Sequence, residues 1–179
     1  MERHRWILMR HATAANGSGR DFDRPLTRRG LDEAHRVGER LRAQGTRPDR
    51  VITSSARRCV ETWQALASGL GEDAGAFAGP GPDVGHENGL YNASARDLLA
   101  AIREVGDADT LLVLAHNPGI SVLALELDRG RPQDESVLRH GFAPASVAIF
   151  EVEGPWSALV AGATQLLHFE HAPHDGKPD

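Results

Sequence analysis

Two of the nine histidines in this 179-residue chain stand directly after short apolar runs. His11 follows Trp6-Ile7-Leu8-Met9-Arg10, and His116 follows Leu111-Leu112-Val113-Leu114-Ala115. Runs of this kind read as buried strands, and in an open parallel sheet the ligand crevice lies beyond the carboxyl ends of the strands. A third such end, Val51-Ile52 followed by Ser54-Ser55-Ala56-Arg57-Arg58, brings guanidiniums, as Arg10 does beside His11. These residue types suit attack on phosphorus. An imidazole with an unperturbed pKa of about 6.5 is a competent neutral nucleophile near pH 7, and neighbouring guanidiniums disfavour its protonated form. The same guanidiniums bind phosphoryl oxygens through planar forks and stabilise the charge of a trigonal-bipyramidal transition state. A protonated His116 adds a donor, and a helix starting at Pro118 points its positive end into the same crevice. One histidine in such a place is more often a satisfied core residue. Two of them, with guanidiniums at the first and second strand ends, reverse that preference.

The elements that must position these groups alternate along the chain. Ala12 to Asp23, with Asn16, Gly17, Ser18 and Gly19, reads as loop. Leu31, Ala34, Gly38 and Leu41 recur at helical spacing, with Thr27 as N-cap and Gly45 as stop. A second apolar stripe runs from Ala56 to Leu70. Gly69 to Gly89 reads as connection with one short strand near Val84, and Ser94 with Asp97 makes a capping box ahead of a third helix. A fourth helix extends through Leu127, with Asn117 as cap and Pro118 at its first position. Val147 to Phe150 and Leu159 to Phe169 predict two adjoining strands joined near Gly154-Pro155. The expected fold class is α/β: a three-layer α/β/α sandwich whose mostly parallel central sheet carries an antiparallel edge element. The expected organisation is a single domain over residues 1–170 with a disordered polar tail over 171–179.

Composition removes several classes of partner. A formal net charge of -5, with 20 Lys and Arg against 25 Asp and Glu, leaves no basic excess for a nucleic-acid backbone. The single cysteine, Cys59, forms no disulfide within the chain. Trp6 to Met9 is too short for a signal-peptide core or a membrane span, so a cytoplasmic location without membrane contact is expected. Composition gives no oligomeric state.

The motifs resemble a known family. Leu8-Met9-Arg10-His11-Ala12-Thr13-Ala14 resembles the R-H-A form of the histidine phosphatase (phosphoglycerate-mutase-like) signature, in the branch of SixA-type phosphohistidine phosphatases. Asp23-Arg24-Pro25-Leu26-Thr27-Arg28-Arg29-Gly30 resembles the segment that opens the first helix in that branch. Ser54 to Thr62 resembles its S-P-x-x-R-A-x-x-T motif, and Ala115-His116-Asn117-Pro118-Gly119 its second histidine motif. The resemblance runs in order from Trp6 to Leu127. It implies His11 as nucleophile, Arg10 and Arg58 as phosphate-binding arginines and His116 as the second histidine. Counting back from Thr62 selects Arg58 over Arg57, which is left on a solvated helix face. Ser55 stands where the family has Pro and is expected to cap the next helix; Cys59 replaces a small Ala and is expected to pack in the core.

The implied reaction is ping-pong through a phosphohistidine enzyme, with no metal or cofactor. Relatives often carry a leaving-group acid in the loop before the third helix, where Glu87 is the candidate and Asp97 a weaker one; an enzyme specialised for phosphohistidine could lack a strong acid. The short stretch between Thr62 and His116 leaves little room for a lid, which favours phosphohistidine on a protein as substrate. Two rivals stay open: a phosphatase of small phosphomonoesters such as sugar or nucleotide phosphates, and a phosphate-binding module without catalysis. A metal site at His168, His171 and His174 is the weakest reading, because their spacing suits neither a strand face nor a helix ending in Pro173.

Overall fold

Alternation along β1 (Arg3–Arg10) builds both cores at once. Trp6 and Leu8 point to one face of the sheet and Ile7 and Met9 to the other, all fully buried. Leu111 and Val113 of β4 (Thr110–Ala115) join the first set, and Leu112 and Leu114 the second. A strand covered on both faces must be apolar throughout, which is why these runs are continuous. The computed structural model describes residues 3–17, 19–71 and 81–171. The expectation for the tail therefore lies almost wholly outside the described residues, as do His174 and part of the stretch from which a missing lid was argued.

Two layers of helices flank the sheet. On one face α1 (Arg28–Ala43) and α2 (Arg57–Leu70) pack against each other and on Ile7, Met9, Val51, Leu112 and Leu114. Their contact is close because glycines meet backbone: a β-carbon on Gly38 would lie 2.1 Å from the Leu66 carbonyl oxygen, and one on Gly69 2.0 Å from that of His35. On the other face lie α3 (Ala95–Arg103) and α4 (Gly119–Leu127), with α5 (Pro132–Arg139) against α4. The sequence reading has no counterpart to α5. It is short and largely polar, and its one start signal was Pro132 at the first helical position.

The sheet order is β3-β2-β4-β1-β5-β6, with β2 (Arg50–Ser54) and β3 (Asp83–Glu87) on one side. Strands β3, β2, β4 and β1 run parallel, while β5 (Val147–Glu153) and β6 (Thr164–Glu170) add antiparallel pairings at the far side. This is the expected α/β architecture. β4 inserts between β2 and β1, so three strand ends separated by long sequence are neighbours. Arg10 pairs with Ala115, and Thr53 with Leu114, which sets His11, His116 and the Ser54–Ser55 turn at one level. Among the described residues no helix is long and apolar enough to cross a membrane.

Candidate active site

His11 and His116 leave their strands side by side, with ring centroids 5.2 Å apart. The His11 ring has a defined tautomer: Nδ1 donates to the Ala12 carbonyl at 2.8 Å, so the lone pair sits on Nε2, which accepts from Arg58 Nε at 3.3 Å. Burial, then the charges of Arg58, Arg10 and Arg24, outweigh the Ala12 hydrogen bond and lower its pKa to about 4. The His11 imidazole is therefore neutral at pH 7. His116 is 3% exposed and its pKa is lowered to about 3, first by burial and then by His11 and Arg58. Its Nδ1 accepts from Arg58 Nη2 at 3.2 Å and its Nε2 donates to Ser54 Oγ at 2.9 Å. That hydroxyl also accepts from the Ala56 amide.

Arg58, 4% exposed, sits between the rings. Its Nε and Nη2 face the two imidazoles, while Nη1 donates to the Asp21 carbonyl at 2.7 Å and Nη2 to Asp21 Oδ2 at 3.1 Å. Asp21 also accepts from Tyr91 Oη at 2.7 Å and Arg24 Nη1 at 2.9 Å. The Tyr91 bond, then that of Arg24, hold its carboxyl well below the usual carboxylate range. Arg10 enters from the other side. Its Nη1 donates to the Phe142 carbonyl at 2.8 Å, and its Nε is buried with no protein partner. Burial and the charge of Arg58 lower the Arg10 pKa. Arg10, a residue of the site, thus carries an unsatisfied donor.

These groups line a hollow of about 340 Å³ with Thr13, Ala14, Arg24, Asn92, Asn117 and Pro144. A hollow of about 370 Å³ at the opposite end of the sheet, around Arg3, His4 and Trp156, gathers no comparable set of groups. Size therefore does not pick the site; the converging imidazoles and guanidiniums do.

Tertiary hydrogen bonds hold the walls. Thr62 Oγ1 accepts from the Ala12 amide at 3.0 Å and donates to the Arg58 carbonyl at 2.6 Å, tying the turn after His11 to the turn that carries Arg58. Glu33 accepts from the Thr13 amide and hydroxyl, and Glu61 from the Leu26 amide, fixing both ends of the loop that carries Asp21. The α1 N-terminus lies on this loop, because a β-carbon on Gly30 would stand 2.1 Å from the Thr13 carbonyl oxygen.

Four of the five expected site residues meet here: Arg10, His11, Arg58 and His116. Glu87 is not in the lining. It ends β3 beside Ser54, and its Oε1 lies 3.6 Å from where a β-carbon on Gly85 would be, back along the strand. Asp97 completes the capping box with Ser94, and Arg57 pairs with Glu61 on the exposed face of α2. Two local expectations are corrected. Asn117 does not cap α4: its amide donates to the Phe142 carbonyl and its oxygen accepts from Ser121, so it braces the carbonyl that holds Arg10. Ser55 does not cap α2 either; its hydroxyl bonds Asn88, and Ser54 accepts the Ala56 amide instead. Cys59 is fully buried with its pKa raised to about 12 by burial, as a packing residue should be. Sequence reasoning missed Asp21, Tyr91 and the bracing role of Thr62. Only Thr62 carried a signal, as the fixed end of the third motif.

Comparison with known proteins agrees with this geometry. Residues 6–78 match the histidine phosphatase superfamily (branch 1). Over 170 residues the chain is 34% identical to Uncharacterized protein Rv1276c of Mycobacterium tuberculosis, covering 92% of this chain and 99% of that protein. It is 31% identical over 124 residues to phosphohistidine phosphatase SixA of Escherichia coli, covering 69% and 74% of the two chains. A solved structure from Nakamurella multipartitia that carries the SixA name superposes with a TM-score of 0.80 at 30% identity, covering 95% of this chain and 96% of that one. Two imidazoles and two arginine forks beyond the parallel strand ends thus mark a phosphatase with a histidine-based mechanism, and the chain belongs to the histidine phosphatase superfamily. Within that superfamily it is of the SixA type.

Proposed function

We propose that the protein removes phosphoryl groups from phosphohistidine in proteins, through a covalent phosphohistidine at His11. The observation that carries this choice of substrate is the state of Asp21, the one carboxylate lining the hollow among the described residues. Asp21 is held ionised by three donors, so it cannot hand a proton to an alkoxide leaving group. His116 is held neutral, and Glu87 lies outside the lining. A phosphate ester needs such a proton as its oxygen departs. A protonated phosphoimidazole does not, because it leaves as neutral imidazole. The name of the Escherichia coli relative, phosphohistidine phosphatase, points the same way.

In this scheme the Nε2 lone pair of His11 attacks phosphorus as the P–N bond to the substrate ring breaks. Arg10 and the side edge of Arg58 hold the equatorial oxygens, where charge builds. His116 stays neutral and accepts from Arg58 through Nδ1, which holds that guanidinium in place. Water attacks the phosphoenzyme, releasing phosphate and restoring His11. The test is a screen in chelator-treated buffer, wild type beside His11→Ala, using a phosphohistidine protein and a panel of sugar, nucleotide and aryl phosphates. Preference for the phosphohistidine protein is expected, with turnover and acid-labile phosphoenzyme both lost in His11→Ala. Faster turnover of a small ester, or activity that survives His11→Ala, refutes the scheme.

A further inference from the structure

Among the described residues that line the hollow, Asp21 is the only anion; its neighbours there are cationic, neutral or apolar. Its Oδ2 accepts from both Arg58 and Tyr91, but Oδ1 accepts only from Arg24, which leaves acceptor capacity on that oxygen. The side chain is 48% exposed, so it lies at the mouth of the hollow rather than beneath it. Two aromatic rings stand beside it. Phe22 follows it in the chain and meets Tyr91 edge-on, with centroids 5.1 Å apart. An exposed carboxylate oxygen with spare acceptor capacity suits the ring N–H of a cationic ligand.

We propose that Asp21 is a specificity-determining residue: Oδ1 accepts a hydrogen bond from the ring N–H of the substrate's phosphoimidazolium and thereby holds the leaving group protonated. The proposal rests on the phosphohistidine function above. The step balances without a proton transfer at the leaving atom. A bond forms from His11 Nε2 to phosphorus while the P–N bond to the substrate ring breaks. Its electron pair returns to that nitrogen, and the ring departs neutral because its other nitrogen already carries the proton bonded to Asp21. The phosphoryl charge faces Arg10 and Arg58, and the imidazolium charge faces Asp21. The three donors keep this carboxylate ionised across the pH range in which phosphoimidazole titrates.

A carboxylate within hydrogen-bond distance raises the pKa of a bound cation by about 1–3 units. Asp21 therefore extends phosphohistidine turnover to higher pH. The other groups that act on Asp21 are Arg24, Arg58 and Tyr91 in direct contact, with Arg10, His11 and His116 also lining the hollow and the Arg20–Asp23 pair on the same loop. None of these supplies a second negative charge inside the lining.

The experiment compares wild type, Asp21→Asn and Asp21→Glu on a phosphohistidine peptide and on p-nitrophenyl phosphate, whose leaving group needs no proton, from pH 5.5 to 9. Asp21→Asn is expected to lower turnover of the peptide about tenfold more than that of the aryl ester, and to move the alkaline limb for the peptide down by about one pH unit. Asp21→Glu, which keeps the charge, is expected to restore the limb. Circular dichroism checks that each variant folds, and Asp21→Glu carries the test if Asp21→Asn does not. An equal loss on both substrates with no movement of the limb overturns the proposal, since Asp21 would then act only by holding Arg58. Wild type that cleaves the aryl ester but not the peptide refutes the phosphohistidine function itself, and this proposal falls with it.

Discussion

Replacing Thr62 by Val tests whether the site is held by the hydrogen bonds described above. The change keeps side-chain shape and removes one fully buried hydroxyl. The Ala12 amide loses the oxygen it donates to at 3.0 Å, and the Arg58 carbonyl loses a 2.6 Å donor. That carbonyl remains in the first turn of α2, so the main penalty is the buried N–H, about 1–3 kcal/mol. For a chain of this length each kcal/mol lowers the melting temperature by roughly 2–4 °C, so a drop of roughly 2–12 °C is expected. Activity falls further than stability, because Ala12 supplies the carbonyl that fixes the His11 tautomer while Arg58 is the other tethered residue. Misplacement of such groups by about 1 Å lowers kcat about 10²-fold. Thr62→Ser keeps the hydroxyl, and its lost methyl costs about 1 kcal/mol or somewhat more, so it recovers most of the activity while remaining less stable than wild type. Thermal melts and kcat on a phosphohistidine peptide read both effects. Wild-type stability and activity in Thr62→Val would refute the bracing role, as would equal impairment of the Val and Ser variants.

Three further outcomes follow from the site. His11 and His116 stay neutral in the folded protein down to about pH 4 and 3, whereas in the unfolded chain they take up protons near pH 6.5. The unfolded state thus binds more protons below pH 6.5, so the stability present above that pH is lost progressively as pH falls toward 4. Urea unfolding at pH 7.5 and 5 measures this, and His116→Gln shrinks the difference; a pH-independent midpoint contradicts it. The acid limb of kcat/KM should lie near 4 and not near 6.5. Glu87→Gln is expected to keep kcat on the phosphohistidine peptide within about twofold, since its carboxylate points back along β3. A loss on the order of 10²-fold would restore Glu87 as leaving-group acid.

Much of the fold was legible because strong local rules agreed. Continuous apolar runs at Trp6–Met9 and Leu111–Ala115 mark strands buried on both faces, and those two strands are central. Thr27, the Ser94–Asp97 box and Gly45 acted at their helix ends as their chemistry requires. Failures came where several local partners competed for one group. Asn117 and Ser55 are good caps by residue type, yet Asn117 bonds the distant Phe142 carbonyl and Ser55 bonds Asn88. α5 was hidden because a short polar helix has little apolar periodicity, and its place against α4 depends on few buried residues such as Leu138.

By itself the sequence determined the chemical vocabulary: two histidines at strand ends and arginines beside two of those ends, with the resemblance to the family motif pointing to Arg58 over Arg57. Those are one-dimensional facts, since a side chain's position relative to its own strand or helix follows from local periodicity. Only the tertiary structure decided that β4 lies between β1 and β2, that Asp21 reaches Arg58 across a loop, and that Glu87 turns away. Contacts between residues distant in sequence depend on strand order and loop closure, and no local pattern encodes them.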